Sequence, residues 1–389
     1  MASMAVPDAA LIAAARALLP DVRAAADETE RERQPVPAII EKLLGARLFD
    51  LVKPRAIGGI ETDLITMMRV IEEISIGDAS IGWCVGIGLG TSIISGSVSE
   101  AVAREAFAPG TIQGGAFAPN GRGTVVEGGV RVSGRWPFVS GSPHCSTLTC
   151  GTLIYDGDAP RMLAAGVPDW RMPIFARKNA EIIDTWHTGG MRGTGSHDVA
   201  VRDLFVPDDH IIRIGGDAVV QPGPLYRFPI IGFLALTIAP VATGIARHAI
   251  DEVIELAQTK VALGTQRSVR ERALPQHQIA EAEGELRAGR AFMYEAAAGV
   301  WDALERGDAV SMHQRAMVRL ACVQATFASV RATDIAYRLG GGTAVYETSV
   351  LQRLMRDAHT VTQHVQLSAN NYEPVGRVLF GLDPGTPVF

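Results

Sequence analysis

Charge, aromatic rings and cysteine are all scarce in this chain of 389 residues: 20% of its residues are charged, 6% are aromatic, and cysteine occurs four times. No block of Lys and Arg is present, and 36 basic against 42 acidic residues leave a net charge of -6. A nucleic-acid partner is therefore not expected, because phosphate recognition needs clustered positive charge. Cys84, Cys145, Cys150 and Cys322 form neither a C-x-x-C pair nor a dense framework. With no secretory leader pattern at the N-terminus, a reducing, cytoplasmic setting is expected. Disorder is disfavoured as well, since 47% of the residues are apolar and mean hydropathy is +0.16. Two uncharged runs, Ala79 to Ser99 and Phe228 to Ala246, reach membrane-spanning length. Glycine and serine dilute the first, proline and threonine the second, and neither has aromatic flanks, so both are expected to be buried core helices rather than spans.

Three zones follow one another. Up to about residue 110, apolar residues recur at helical spacing: Leu11, Ala15, Leu18 and Val22, then Ile39, Ile40, Leu43 and Leu44, then Leu64, Met67, Met68, Ile71 and Ile74. Pro35 and Pro37 open the second segment, Gly58-Gly59 makes a turn, and Thr62 or Asp63 caps the third. Over 111–212 the period changes to two, with β-branched runs around Gly128-Gly129, from Thr147 to Tyr155 and from Asp198 to Val206. Beyond 225 four helical stretches return, at roughly 232–260, 275–305, 309–339 and 349–368, a four-helix bundle. The fold class is α+β: a helical domain over 1–110, a β-barrel-like domain over 111–212 and a bundle over 225–389. Strand and helix do not alternate, so a nicotinamide-binding domain is not expected. The cluster Gly86-Ile87-Gly88-Leu89-Gly90 follows a helix, and reads as a helix-packing surface.

Three segments have the residue types of a ligand site. In the first, Trp136-Pro137-Phe138-Val139-Ser140-Gly141-Ser142-Pro143-His144, the glycine lets the backbone approach a flat ligand, the serine hydroxyl bonds its edge, and Trp136 and Phe138 pack either on a ring or in the domain core. The second, Asp184 to Ser196, has the small hydroxyls Thr194 and Ser196, suited to a polar cofactor edge or to a turn. The third is Gly340-Gly341-Gly342, whose bare amides can hold an anionic group, followed by Arg356-Asp357, which reads as an ion pair, and by His359 and His364. Five residues apart on a helix, the two histidines point about 140° from each other, so they cannot share a metal, and no metal is expected.

Taken together, these segments resemble the acyl-CoA dehydrogenase superfamily over nearly the whole chain. The resemblance implies an FAD or FMN cofactor between the β domain and the bundle, held by Trp136, Phe138, Ser140, Gly141, Thr194, Ser196 and Gly340 to Gly342, in a homotetramer. A dehydrogenase of this superfamily needs a carboxylate base, yet its usual registers hold His364 with Val365, and Leu234; Glu347 and Glu373 fall outside them. The pattern W-x-[FY]-x-S-G-x-x-H, matched by Trp136, Phe138, Ser140, Gly141 and His144, and R-D-x-x-x-x-x-x-H, matched by Arg356, Asp357 and His364, resemble the oxygenase halves of two-component flavin-dependent monooxygenases. By that resemblance Ser140 bonds the flavin ring, and His364 steadies its oxygen adduct or deprotonates an aromatic hydroxyl. An ordinary imidazole pKa near 6.5 would let His364 switch between acid and base near neutrality. The expected catalytic pair is His364 and Ser140; His144 is expected to be structural and His359 to face the bundle or a subunit interface. Reduced flavin is expected from a separate reductase, with a small aromatic or heteroaromatic molecule as substrate. The alternatives are a flavin oxidoreductase of the dehydrogenase type and a non-catalytic scaffold subunit.

Overall fold

The computed structural model describes all residues except 1–6, 164–165, 214–218, 262–263, 265 and 387–388. Helices come first: α1 (Ala9–Ala17), α2 (Leu19–Glu32), α3 (Pro37–Gly45), α4 (Leu64–Gly77), α5 (Ala79–Ser92) and α6 (Glu100–Ala106). Asp63 and Asp78 cap α4 and α5 by accepting backbone N–H groups of Thr66 and Ile81. Next come β1 (Gln113–Val126), β2 (Gly129–Val139), β3 (Thr147–Asp156), β4 (Ala159–Pro160), β5 (Trp170–Ala176), β6 (Glu181–Ile183), β7 (His197–Pro207) and β8 (Ile211–Arg213). The chain closes with α7 (Pro224–Arg227), α8 (Ile230–Leu236), α9 (Ala239–Thr259), α10 (Ala273–Glu305), α11 (Met312–Gly340), α12 (Val350–Val361) and α13 (Tyr372–Leu379).

The strands form one sheet in the order β6-β7-β2-β1-β3-β5-β8, with β4 paired to β3. Among the described residues only β1 and β3 pair in parallel. Among the described residues the hydrogen-bonded path runs from β6 at one end to β8 at the other. One apolar cluster runs through the helices at both ends of the chain and through the sheet, including Leu64, Trp136, Phe233 and Met293.

Several expectations need correction. The first bundle helix is two: α8 stops at Leu236 and α9 restarts with Pro240 in its first turn, where a missing N–H costs nothing. The last long helix ends at Val361, so His364 lies in the turn that follows and the 140° helical argument does not apply to it. Arg356 and Asp357 do not pair with each other: Arg356 reaches Glu30 at 2.7 Å, while buried Asp357 accepts the Met191 N–H.

The apolar runs from Ala79 and from Ile230 are packed inside the fold, with 83% and 78% of their most apolar windows buried. In α5 the close fit has a visible cause: a Cβ at Gly86 would sit 2.1 Å from the Thr237 carbonyl oxygen, so only glycine lets α5 lie against the junction of α8 and α9.

Candidate active site

Antiparallel pairing of β2 with β7 sets Val139 opposite His197, which brings the turn after β2 beside the loop that leads into β7. The two are bonded together. Gly141 N–H donates to the Thr194 carbonyl at 2.9 Å, and the Ser142 hydroxyl to the Gly195 carbonyl at 3.1 Å. Gly141 takes φ +73°, a left-handed conformation that glycine adopts without strain. Phe138 takes φ +62° without being glycine, and its side chain is 70% exposed, edge-on to Trp186 at 6.1 Å between ring centroids. A strained backbone that holds an aromatic ring in solvent is a feature of ligand sites.

Behind this rim lies a file of buried hydroxyls. Trp83, from α5, donates its indole N–H to Ser140 Oγ at 3.0 Å; Ser140 Oγ lies 2.7 Å from Ser196 Oγ; Ser196 Oγ lies 2.6 Å from Thr194 Oγ1; and Thr194 Oγ1 donates to the Met191 carbonyl at 2.9 Å. Trp83 also meets His364, with ring centroids 5.4 Å apart and planes at 72°. One tryptophan therefore joins Ser140 from the sheet to His364 from the C-terminal helices. Trp83 was not among the sequence candidates. Its one signal was an indole donor on an otherwise glycine-rich, apolar helix, where a buried N–H needs an acceptor.

His364 is recessed and half-buried, and its surroundings fix its chemistry. The Gln366 backbone N–H donates to Nδ1 at 3.2 Å, so Nδ1 is an acceptor and the ring proton is on Nε2. Burial pushes its pKa down to about 4. The expectation of a switch near neutrality is thereby overturned, because the imidazole is desolvated and has no carboxylate beside it to favour the charged form. His364 is a neutral ring that donates through Nε2–H and is a weak base. Since its pKa is lowered, it stays neutral above the ordinary 6.5 and gains a proton only as pH falls through about 4. If the neutral ring is the working form, activity is flat from about pH 8 to about pH 5 and falls below that. A pH–rate profile checks this, and an inflection near 6.5 assignable to His364 would contradict it.

The other candidates fall elsewhere. Trp136 is completely buried with its indole N–H on the Gly151 carbonyl at 2.6 Å, so it packs the sheet and presents no face to a ligand. His144 lies under the Gly141 turn with neither ring nitrogen bonded, and burial lowers its pKa to about 4. His359 Nε2 lies 2.9 Å from Asp334 of α11, about half exposed. Gly340 is buried against Leu351 and Ala344, whereas Gly341 and Gly342 are exposed. That turn leads through Thr343 into a cavity of about 480 Å³, whose lining includes His248, Glu252 and Arg353 but none of Trp83, Ser140 or His364. Glu347 lines this other cavity and Glu373 is exposed, so neither supplies a base beside His364.

The arrangement fits a flat, polar-edged cofactor: a glycine turn without a side chain, an exposed aromatic ring on strained backbone, and a hydroxyl file ending at Ser140. Comparison with known proteins agrees. The sequence matches the family description "Acyl-CoA dehydrogenase, N-terminal domain" over residues 8–114 and "Acyl-CoA dehydrogenase, C-terminal domain" over residues 236–369. It is 31% identical to an indole-3-acetate monooxygenase of Pseudomonas putida, covering 93% of this chain and 91% of that protein. The chain belongs to the flavin-dependent monooxygenase branch of the acyl-CoA dehydrogenase superfamily. The oxygenase subunit HsaA of a flavin-dependent monooxygenase from Mycobacterium tuberculosis is 28% identical, with 96% of each chain covered. Among solved structures, XiaF from a Streptomyces species, in complex with FADH2 and glycerol, superposes with a TM-score of 0.90 at 27% identity, covering 98% of this chain and 97% of that one.

Proposed function

We propose that this protein is the oxygenase component of a two-component flavin-dependent monooxygenase, hydroxylating an aromatic or heteroaromatic small molecule. The observation that carries the reading is the junction of Ser140, Trp83 and His364, which assembles a hydroxyl, an indole and a neutral imidazole from three separate parts of the chain. Reduced flavin, when bound, supplies the two electrons with which O2 delivers one oxygen atom to the substrate and one to water. Ser140 and Gly141 hold the cofactor's polar edge, Thr194 and Ser196 support Ser140 from behind, and Phe138 with Trp186 offers an aromatic wall. His364 directs Nε2–H toward developing negative charge and, with a pKa of about 4, does not give up that proton at neutral pH. Trp83, buried against both, keeps water from the space between them.

The dehydrogenase alternative lacks its base: the register after Arg356-Asp357 holds His364, and Leu234 lies in α8. The chemistry suits FAD and FMN alike, and Gly341 and Gly342 suit a phosphate-bearing part of a cofactor or a partner's cofactor. The division of the chain at 1–110, 111–212 and 225–389 belongs to the same reading, as do a cytoplasmic setting and a homotetramer. Exposed apolar side chains at Val345, Tyr346, Val365 and Phe380 favour such an assembly through the C-terminal helices. The test is reconstitution: with FAD or FMN, NADH and indole-3-acetate or resorcinol as probes, hydroxylated product appears only when an unrelated flavin reductase is added. Turnover with NADH and no reductase would refute the two-component reading.

A further inference from the structure

The cavity of about 480 Å³ beyond the Gly340 turn lies between α2, α9 and the start of α12, and it is lined by polar groups that the protein itself does not satisfy. His248, from α9, is 7% exposed, and neither ring nitrogen bonds any described residue. Nδ1 is sealed off without a partner, which leaves Nε2 as the nitrogen that faces the cavity. A buried N–H without an acceptor is rarer than a bare lone pair, so the ring proton is on Nε2. Burial, with Arg23 and Arg353 close by, holds the His248 pKa down to about 4, and the ring is a neutral donor.

Arg353, from α12, is the second such group. Its side chain is 13% exposed, and Nη1 donates to Asp27 at 2.5 Å and lies 3.6 Å from Glu30, which fixes the plane of the guanidinium. Its Nε–Nη2 edge bonds no described residue, yet Arg353 lines the cavity. That edge has two parallel N–H groups at the spacing of carboxylate oxygens.

The remaining charges set how much negative charge the cavity accepts. Arg23, exposed at the mouth, adds a positive charge with no ion pair among the described residues. Against it stand Asp27, Glu252 and Glu347. Asp27 is engaged by Arg353, Glu347 is exposed, and burial together with Glu255 raises the Glu252 pKa. A single negative charge is matched by the two guanidinium groups, whereas a doubly charged phosphate would also be pressed against carboxylates. Leu256, Val350 and Leu351 give the rest of a ligand an apolar wall.

We propose that this cavity binds a small monocarboxylate with an apolar or aromatic body, held by the Nε–Nη2 edge of Arg353 and by His248 Nε2–H, at a site separate from the junction of Ser140, Trp83 and His364. Its volume is ample for a carboxylate on a single ring.

The test is calorimetric titration of the full-length, flavin-free protein with benzoate, and with inorganic phosphate for comparison. Benzoate is expected to bind with a Kd below about 1 mM, and phosphate at least about tenfold more weakly. His248→Phe keeps a ring in place and removes the donor, and Arg353→Lys keeps the charge and removes the edge. Each is expected to weaken benzoate by about ten- to a hundredfold, the scale of a hydrogen bond to a charged group. The His248 nitrogens bond nothing in the protein, so His248→Phe is expected to melt with the parent and decides the matter even if Arg353→Lys does not fold. His364→Ala, and saturating FAD or FMN, are expected to leave the benzoate affinity unchanged. No benzoate binding by the parent up to about 10 mM overturns the proposal, as does parent affinity in His248→Phe. Loss of benzoate in His364→Ala would move it to the junction, and displacement by FAD or FMN would assign the cavity to the cofactor; either result overturns a separate site and leaves the oxygenase reading standing.

Discussion

Replacing His364 with alanine is expected to lower hydroxylated product by about 10²–10³-fold, the usual cost of removing one preorganised donor from a site of developing charge. The oxygen consumed then appears as hydrogen peroxide. The reason is local: α12 stops at Val361, and the turn beyond it sets the His364 ring edge to face with Trp83 at 5.4 Å. With Nδ1 occupied by the Gln366 N–H, Nε2–H is the only group the ring can offer to the site. His359→Ala is the matched control, because the His359 ring, about half exposed, bonds Asp334 of α11, and its product-to-peroxide ratio should equal the parent's. Measuring product and peroxide together in both variants checks the assignment; uncoupling in His359→Ala with normal turnover in His364→Ala would reverse it.

Trp136→Ala is expected to cost about 3–5 kcal/mol of stability, the range for truncating a large buried aromatic side chain. Trp136 has no exposed surface, and its indole N–H satisfies the Gly151 carbonyl at 2.6 Å. Trp136→Phe fills much of the space but leaves that buried carbonyl unpaired, a loss of about 1–3 kcal/mol. Urea unfolding of the two variants gives both numbers. A stable Trp136→Ala protein with weakened flavin affinity would return this residue to the cofactor site.

Trp136 illustrates where sequence reading stops. The motif around it is legible because glycine, hydroxyl and aromatic residues are crowded into nine positions, but alternation along a strand does not tell which face is core. Phe138, two residues on, has the same polarity and lies 70% exposed, because its φ of +62° departs from regular strand geometry and turns it out of the alternation. The order of helices, sheet and helices was readable from the change of hydrophobic period. The helix ends were less so: Thr362, Gln363 and His364 continue a helical pattern that the turn interrupts at Val361.

The contacts that make the site are long-range and have no sequence signature. Trp83 and Ser140 lie 57 residues apart, and Met191 and Asp357 166 apart. Adjacent in sequence, Arg356 and Asp357 read as a pair of opposite charges, but they leave α12 in different directions, one toward Glu30 and the other into the core. Burial there, with Asp78 close by, pushes the Asp357 carboxyl up to about 7, an environment that only packing creates. The lowered pKa of His364 was invisible for the same reason.

The central claim is that this site adds one atom of O2 to an aromatic substrate. The most direct measurement is to mix the protein, photoreduced FAD or FMN and indole-3-acetate or resorcinol under 18O2, then weigh the product by mass spectrometry. The account predicts a hydroxylated product carrying one 18O atom, with the second oxygen atom in water. Hydroxylated product whose oxygen comes from water, or no hydroxylation beside ready desaturation of an acyl-CoA, would contradict it.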